Sequence, residues 1–237
     1  MALRTGQRVF EVRLDRGARA TPRIAAIADA AKAAGVAVQL VDRRELERLA
    51  GPNHQGVVAI AAAMHEIKLK DVLWRCAAEN RPPCVVLLRE LLHEHNLGAI
   101  LRTADAAGAD AIVLPSHGAA PVGPEAIRVS TGASETVPII RQSLTQAMAL
   151  LRRQGLTIIG AEPEAQTPYW DHDMTGPVAF LLGGEDRALS QPLRGACHAL
   201  VHIPMAGRVT SLNVSVACGL LLYERLRQIR MPRPTST

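Results

Sequence analysis

Six short, largely apolar runs, alternating with helical stretches, constrain this chain more than any other feature. They read CVVLL (84–88), AIVLP (111–115), VPII (137–140), LTIIGA (156–161), VAFLL (178–182) and ALVHIP (199–204). A strand that lacks apolar–polar alternation is buried on both faces, so such strands belong to a mostly parallel sheet with helices on each side. The intervening helices carry their own signals. Asn96 opens a helix running to Ala107, a further helix lies near 124–129, and Ser143 with Gln146 forms a capping box before a helix that ends at Arg153 and Gly155. The last helix spans Ser211 to about Arg230.

Residues 1–65 repeat the alternation on a smaller scale. Phe10, Val12 and Leu14 alternate with Val9, Glu11 and Arg13 in a strand of period two. Thr21 and Pro22 supply an N-cap and an N1 proline for a helix over 23–34, which Gly35 ends. A strand at 36–41, a charged helix at 43–50 and a strand at 56–64 complete a small α/β unit. Residues 66–82 read as a semi-rigid linker that contains a short helical stretch and closes on Pro82-Pro83, and 83–237 form the main domain.

Charge separates the two parts. Residues 1–65 hold ten Lys/Arg and six Asp/Glu, a net of +4, whereas 66–237 hold seventeen and sixteen, a net of +1. This asymmetry fits a polyanion-binding module joined to a near-neutral body, and it equally fits a merely basic solvated surface. At 48% apolar the chain is globular. No apolar run reaches the roughly 18–20 residues that cross a bilayer, and the first residues lack the apolar core of a secretory signal. The expectation is a cytoplasmic protein with no membrane contact. Cys76, Cys84, Cys197 and Cys218 show no metal or disulfide spacing, and the histidines no HExxH, so reduced thiols and no metal are expected. Aromatic residues, at 3%, are too few for base-stacking platforms.

Neither a GxGxxG fingerprint nor a Walker A sequence is present, so any nucleoside cofactor binds by another route. Three segments offer one. In 95–114, Leu97, Ile100, Leu101 and Ala104 share a helix face, Asn96 stands as its N-cap, and Gly98 in the first turn can admit an anion. In 181–189, two glycines let a ligand approach the backbone ahead of Glu185 and Asp186, residues that equally serve as helix-start charges. In 203–218, an apolar strand turns through Pro204, Gly207 and Ser211 into a small-residue helix. Taken alone, that turn is an ordinary strand-to-helix connection with exposed backbone.

Together, N-L-G-A-x-x-R-T (96–103), G-G-E (183–185) and I-P-M-x-G-x-V-x-S-L-N-V-S-V-A (203–217) resemble the three motifs of the SpoU/TrmH class of RNA 2′-O-ribose methyltransferases, in order and spacing. The stretches 129–138 and 54–59 are similar too, and the resemblance covers nearly the whole chain. It implies an N-terminal RNA-binding domain like ribosomal protein L30e, and a SPOUT α/β domain with a C-terminal trefoil knot and a mostly parallel sheet. It implies S-adenosyl-L-methionine held at Gly183, Ile203 and Leu212, helped by Thr131, Gly132, Met205 and Gly207. It carries the polar site residues over to Arg102, Asn96, Glu185, Asn213 and Ser211, and it implies homodimers packed through the knotted domain. Structured RNA is the implied substrate, with large-subunit rRNA ahead of tRNA. A non-catalytic RNA-binding protein, or a methylase of a base, are the alternatives. The chain departs from the family where His93 and Glu94 replace a common Asp-Pro, which predicts a looser loop before Asn96, and where Asp186 replaces a common glycine.

Overall fold

A computed structural model of the chain describes residues 9–17, 21–52, 54–62, 67–184 and 189–231. It divides into two compact units, Met1–His65 and Glu66–Thr237.

The first unit contains β1 (Val9–Asp15), α1 (Pro22–Ala33), β2 (Ala37–Val41), α2 (Arg43–Ala50) and β3 (Val57–Ala61). The strands order β2-β1-β3, with β2 parallel and β3 antiparallel to β1. The Thr21 side chain caps α1 by accepting from the Ile24 amide, as its sequence predicts. The period-two reading of β1 holds at Val12 and Leu14 but not at Phe10. A register shift between Val9 and Glu11 turns Val9 into the core with Ala31 and leaves Phe10 54% exposed. Arg13 bridges Glu11 (3.1 Å) and Glu45 (2.6 Å), tying α2 to the sheet. Arg16, Arg23, Arg43, Arg44 and Arg48 face solvent.

The second unit runs α3 (Leu69–Ala78), β4 (Cys84–Leu88), α4 (Glu94–Ala107), β5 (Ala111–Leu114), α5 (Pro124–Ser130), β6 (Ile139–Arg141), α6 (Leu144–Arg153), β7 (Thr157–Ala161), β8 (Thr167–Pro168), β9 (Val178–Leu182), α7 (Gln191–Gly195), β10 (Ala199–His202) and α8 (Val214–Arg230). The segment read from sequence as a linker is in large part α3, and it belongs to this unit. Leu69, Val72, Leu73 and Cys76 form an apolar face buried with the strands and α6. The sheet has the order β6-β5-β4-β9-β7-β10-β8, with each of these pairings parallel. β4 and β9 are buried along their full length, as unbroken apolar strands require. One core layer lies under α4, α5 and α8 and the other under α3 and α6.

The contact of α4 with α5 is set by Gly98. A Cβ there would lie 2.7 Å from the Ala126 carbonyl oxygen and 2.7 Å from Val129 Cβ. The glycine weighed from sequence as an anion-accepting position is therefore covered by α5. Gly98→Ala must push backbone against backbone, so a loss of about 1–3 kcal/mol is expected. Thermal unfolding of the variant checks this, with a drop of about 2–4 °C for each kcal/mol in a chain of this size.

Candidate active site

The chain steps outward from β4 through β5 to β6, then crosses to the opposite side, where β9 inserts between β4 and β7. Open parallel sheets bind ligands beyond their carboxyl ends at such a reversal. Here the ends of β4, β7, β9 and β10 surround one cavity of about 820 Å³. That volume falls within the range of about 300–1,000 Å³ typical of small-molecule sites. His93 and Asn96 border it beyond β4; Ala161, Glu162 and Pro163 at the end of β7; Leu182, Gly183 and Gly184 at the end of β9. Residues from His202 to Val214 close the remaining wall.

Two asparagines join the elements at one end of the cavity. Asn213 is the N-cap of α8, its Oδ1 accepting from the Ser215 amide (2.8 Å) and hydroxyl (2.6 Å). Its Nδ2 donates to Asn96 Oδ1 at 3.1 Å. Asn96 is buried in the first turn of α4, which starts at Glu94 with His93 as N-cap. The sequence reading of Asn96 as the N-cap is thus shifted by three residues, and its amide is released to hold α8. Glu94, which stands where the family's common proline would be, makes a contact of its own across to α5. Glu94 Oε2 accepts from the Glu125 and Ala126 amides (3.2 and 3.4 Å), filling the role of an acidic cap at the start of α5.

Of the residues singled out from sequence, Asn96, Gly183, Ile203, Met205, Gly207, Ser211, Leu212 and Asn213 all border the cavity. Thr131 and Gly132 do not. They form the left-handed turn that ends α5, with φ of 52° and 102°. Glu185 lies outside the described residues. Arg102 is exposed and does not border the cavity, because six residues beyond Asn96 place it about 240° further round α4. It pairs with no described side chain. Beside it, Ala99 and Thr103 of α4 face Val216, Gly219, Leu220 and Tyr223 of α8 across a shallow depression, in which Val216 and Tyr223 are each 50% exposed.

Glu162 and His202 were not singled out from sequence, although each stands at the carboxyl end of a legible strand. Glu162 is 2% exposed. Its Oε1 accepts from the Leu189 amide at 2.7 Å, and its Oε2 lies 4.0 Å from Arg194 Nη1. His202 presents a buried Nδ1 with no hydrogen-bond partner among the described residues, an atom that a bound polar group would satisfy. The four thiols are free. Burial pushes Cys76 and Cys197 up to about 11 and Cys84 up to about 12, and raises Cys218 as well, so none is a thiolate at neutral pH. Among the described residues no group of three or more His, Cys, Asp or Glu side chains is placed to hold a metal, and no helix is long and apolar enough to cross a membrane.

Comparison with known proteins gives the family. The model of the SpoU rRNA methylase family matches residues 83–223, and that of RNA 2′-O ribose methyltransferase substrate binding matches 1–66. The 23S rRNA (guanosine-2′-O-)-methyltransferase RlmB of Vibrio parahaemolyticus is 37% identical over 230 residues, covering 95% of this chain and 91% of the relative. The putative TrmH family tRNA/rRNA methyltransferase YacO of Bacillus subtilis is 36% identical over 85% of this chain and 82% of its own length. The crystal structure of the SpoU methyltransferase AviRb from Streptomyces viridochromogenes, in complex with AdoMet, superimposes with a TM-score of 0.79 at 27% identity, covering 96% of this chain and 85% of that one.

Proposed function

The chain belongs to the SpoU rRNA methylase family, and from that premise we propose that it transfers a methyl group from S-adenosyl-L-methionine to a ribose 2′-hydroxyl of large-subunit rRNA. The observation that carries this reading is the cavity at the carboxyl ends of β4, β7, β9 and β10, bordered by all three motif segments at once. Its walls suit the methyl donor. Gly183 and Gly184 bring backbone to its wall, the 203–214 segment adds main-chain groups, and His202 Nδ1, without a hydrogen-bond partner among the described residues, can take a polar atom. The trefoil knot expected of the fold would hold the 183–184 and 203–214 segments in fixed register around it.

When bound, S-adenosyl-L-methionine supplies an electrophilic methyl carbon. The chain's part is to align the ribose oxygen, stabilise the charge that develops on it and receive its proton. Asn96 and Asn213, locked to each other at 3.1 Å, orient the ribose, and Ser211 borders the same space. Glu185 carries an orienting role in this reading. Arg102 grips the neighbouring phosphate bidentately and steadies the developing alkoxide, a task suited to a guanidinium fork. Because Arg102 lies off the cavity of its own chain, it reaches the site of a second copy packed on the α4–α8 depression, so the working form is a homodimer. The reading places the protein in the cytoplasm, with the ribosome.

The basic N-terminal unit holds structured RNA through its exposed arginines, which meet phosphates. Replacing the exposed Arg44 and Arg48 by Ala is expected to weaken RNA binding and to reduce the slope of log K against log salt by about one for each arginine that meets a phosphate. Filter binding over a salt series measures it, and an unchanged slope removes these arginines from the interface. The substrate itself is tested with labelled methyl donor offered to ribosomal RNA and to tRNA in parallel. Label in large-subunit RNA supports the reading, and label in tRNA alone overturns the choice of substrate.

A further inference from the structure

A ribose 2′-hydroxyl cannot leave its proton on Arg102, because a guanidinium already carries all its protons and is not deprotonated in proteins. The acceptor must come from elsewhere. Among the described residues the cavity is bordered by four titratable side chains: His93 at the start of α4, Glu162 beyond β7, His202 at the end of β10 and Arg208 in the 203–214 wall. Arg208 fails for the same reason as Arg102. Glu162 is sealed from solvent and already engaged, with one oxygen on the Leu189 amide and the other facing Arg194. His202 belongs to β10, which β9 and β7 separate from β4. At about 4.8 Å per strand, that is about 14 Å across the sheet from the elements that carry Asn96.

His93 is placed differently. It precedes Asn96 by three residues, the spacing that puts two side chains on one face, and both border the cavity. Asn96 in turn holds Asn213, so His93 stands at the polar end of the site. Its backbone is fixed by its neighbour, since Glu94 is anchored to the first amides of α5. His93 is also the N-cap residue of α4. Glu94, on the same turn, is the neighbouring acidic side chain. His93 is exposed, so a proton its ring takes can pass to water.

We propose that His93 is the base that accepts the 2′-hydroxyl proton, a proposal that rests on the methyl-transfer reading above. In this step the O–H bond breaks and its proton moves to an imidazole nitrogen of His93. The oxygen bonds the methyl carbon while the S–C bond breaks with its electron pair going to sulfur, leaving S-adenosylhomocysteine and 2′-O-methylated RNA. The imidazolium then releases the proton to solvent.

The test uses full-length protein in single-turnover methyl transfer to ribosomal RNA across a pH series, with the wild type alongside. Wild-type rate rises with pH and levels off. His93→Asn is expected to lose about 10²–10⁴-fold in rate and the acidic limb with it, while its affinities for S-adenosyl-L-methionine by calorimetry and for RNA by filter binding stay unchanged. Free imidazole restores rate to His93→Gly and not to the wild type. A His93→Asn variant with wild-type rate and pH profile overturns the proposal, as does a rate loss explained by lost affinity for donor or RNA, or a His93→Gly variant that imidazole does not rescue. If the wild type methylates no RNA, it is the functional reading that fails.

Discussion

Arg102→Ala is expected to lower methyl transfer by about 10²–10³-fold, the usual effect of removing one preorganised group from a developing oxyanion, with little change in affinity for S-adenosyl-L-methionine. The separation follows from geometry. Arg102 does not border the donor cavity, and no described side chain pairs with it, so its removal leaves the cavity wall and the core untouched. Arg102→Lys is expected to fail almost as badly, because one ammonium cannot reproduce a bidentate fork. The position of Arg102 also predicts how two inactive proteins behave together. If a second copy supplies this arginine, mixing Arg102→Ala with a variant damaged in the cavity restores activity, since one site of each mixed dimer then carries both intact halves. Calorimetry and single-turnover rates check the first prediction, and the mixing experiment checks the second. Near-normal turnover by Arg102→Ala removes the residue from the chemistry.

Asn213→Asp is expected to leave the fold intact and to cost about 10–10²-fold in rate. Asp is as good an N-cap as Asn, so the bonds to the Ser215 amide and hydroxyl survive and α8 keeps its start. What changes is the link to α4. A carboxylate cannot donate to Asn96 Oδ1, so two acceptors now face each other where a 3.1 Å hydrogen bond stood. Disrupting a partly buried polar pair costs about 1–3 kcal/mol, and each 1.36 kcal/mol is tenfold in rate when it falls on the transition state. Asn213→Ala loses the cap as well, so its melting temperature falls further than that of Asn213→Asp. Thermal unfolding beside methyl-transfer rates separates the two variants. Equal rates in Asn213→Asp and the wild type would show that the asparagine pair is only structural.

Much of this site could be read from residue pattern because strand ends and motif segments coincide. The unbroken runs at 84–88 and 178–182 became β4 and β9, and the glycines and small residues that follow them line the cavity. What pattern could not supply was rotation and register. Asn96 looks like a cap because it precedes an apolar helix face, but α4 begins at Glu94, and the difference turns its amide toward Asn213. Arg102 sits in the same motif as Asn96 and yet on another side of the helix, a fact of the 3.6-residue period that a motif string hides. Phe10 keeps the alternation in sequence and loses it in space at a bulge. Residues 66–82 looked like a connector because of their short length and two prolines, whereas α3 buries four side chains in the main core. Glu162 and His202 carried no motif at all; only the neighbouring ends of β7 and β10 bring them to one wall. Glu94 bonds to the start of α5, thirty-one residues away, a contact that no local pattern reveals.

The central claim is that the methyl group goes to a ribose oxygen of large-subunit RNA. Mapping the labelled product by alkaline hydrolysis tests it most directly, since a 2′-O-methyl group removes the nucleophile that cleaves the adjacent phosphodiester. One alkali-resistant dinucleotide from large-subunit RNA is expected to carry all the label, and to be lost when Arg102→Ala replaces the wild type. Label released in ordinary mononucleotides, and so borne on a base, would contradict it.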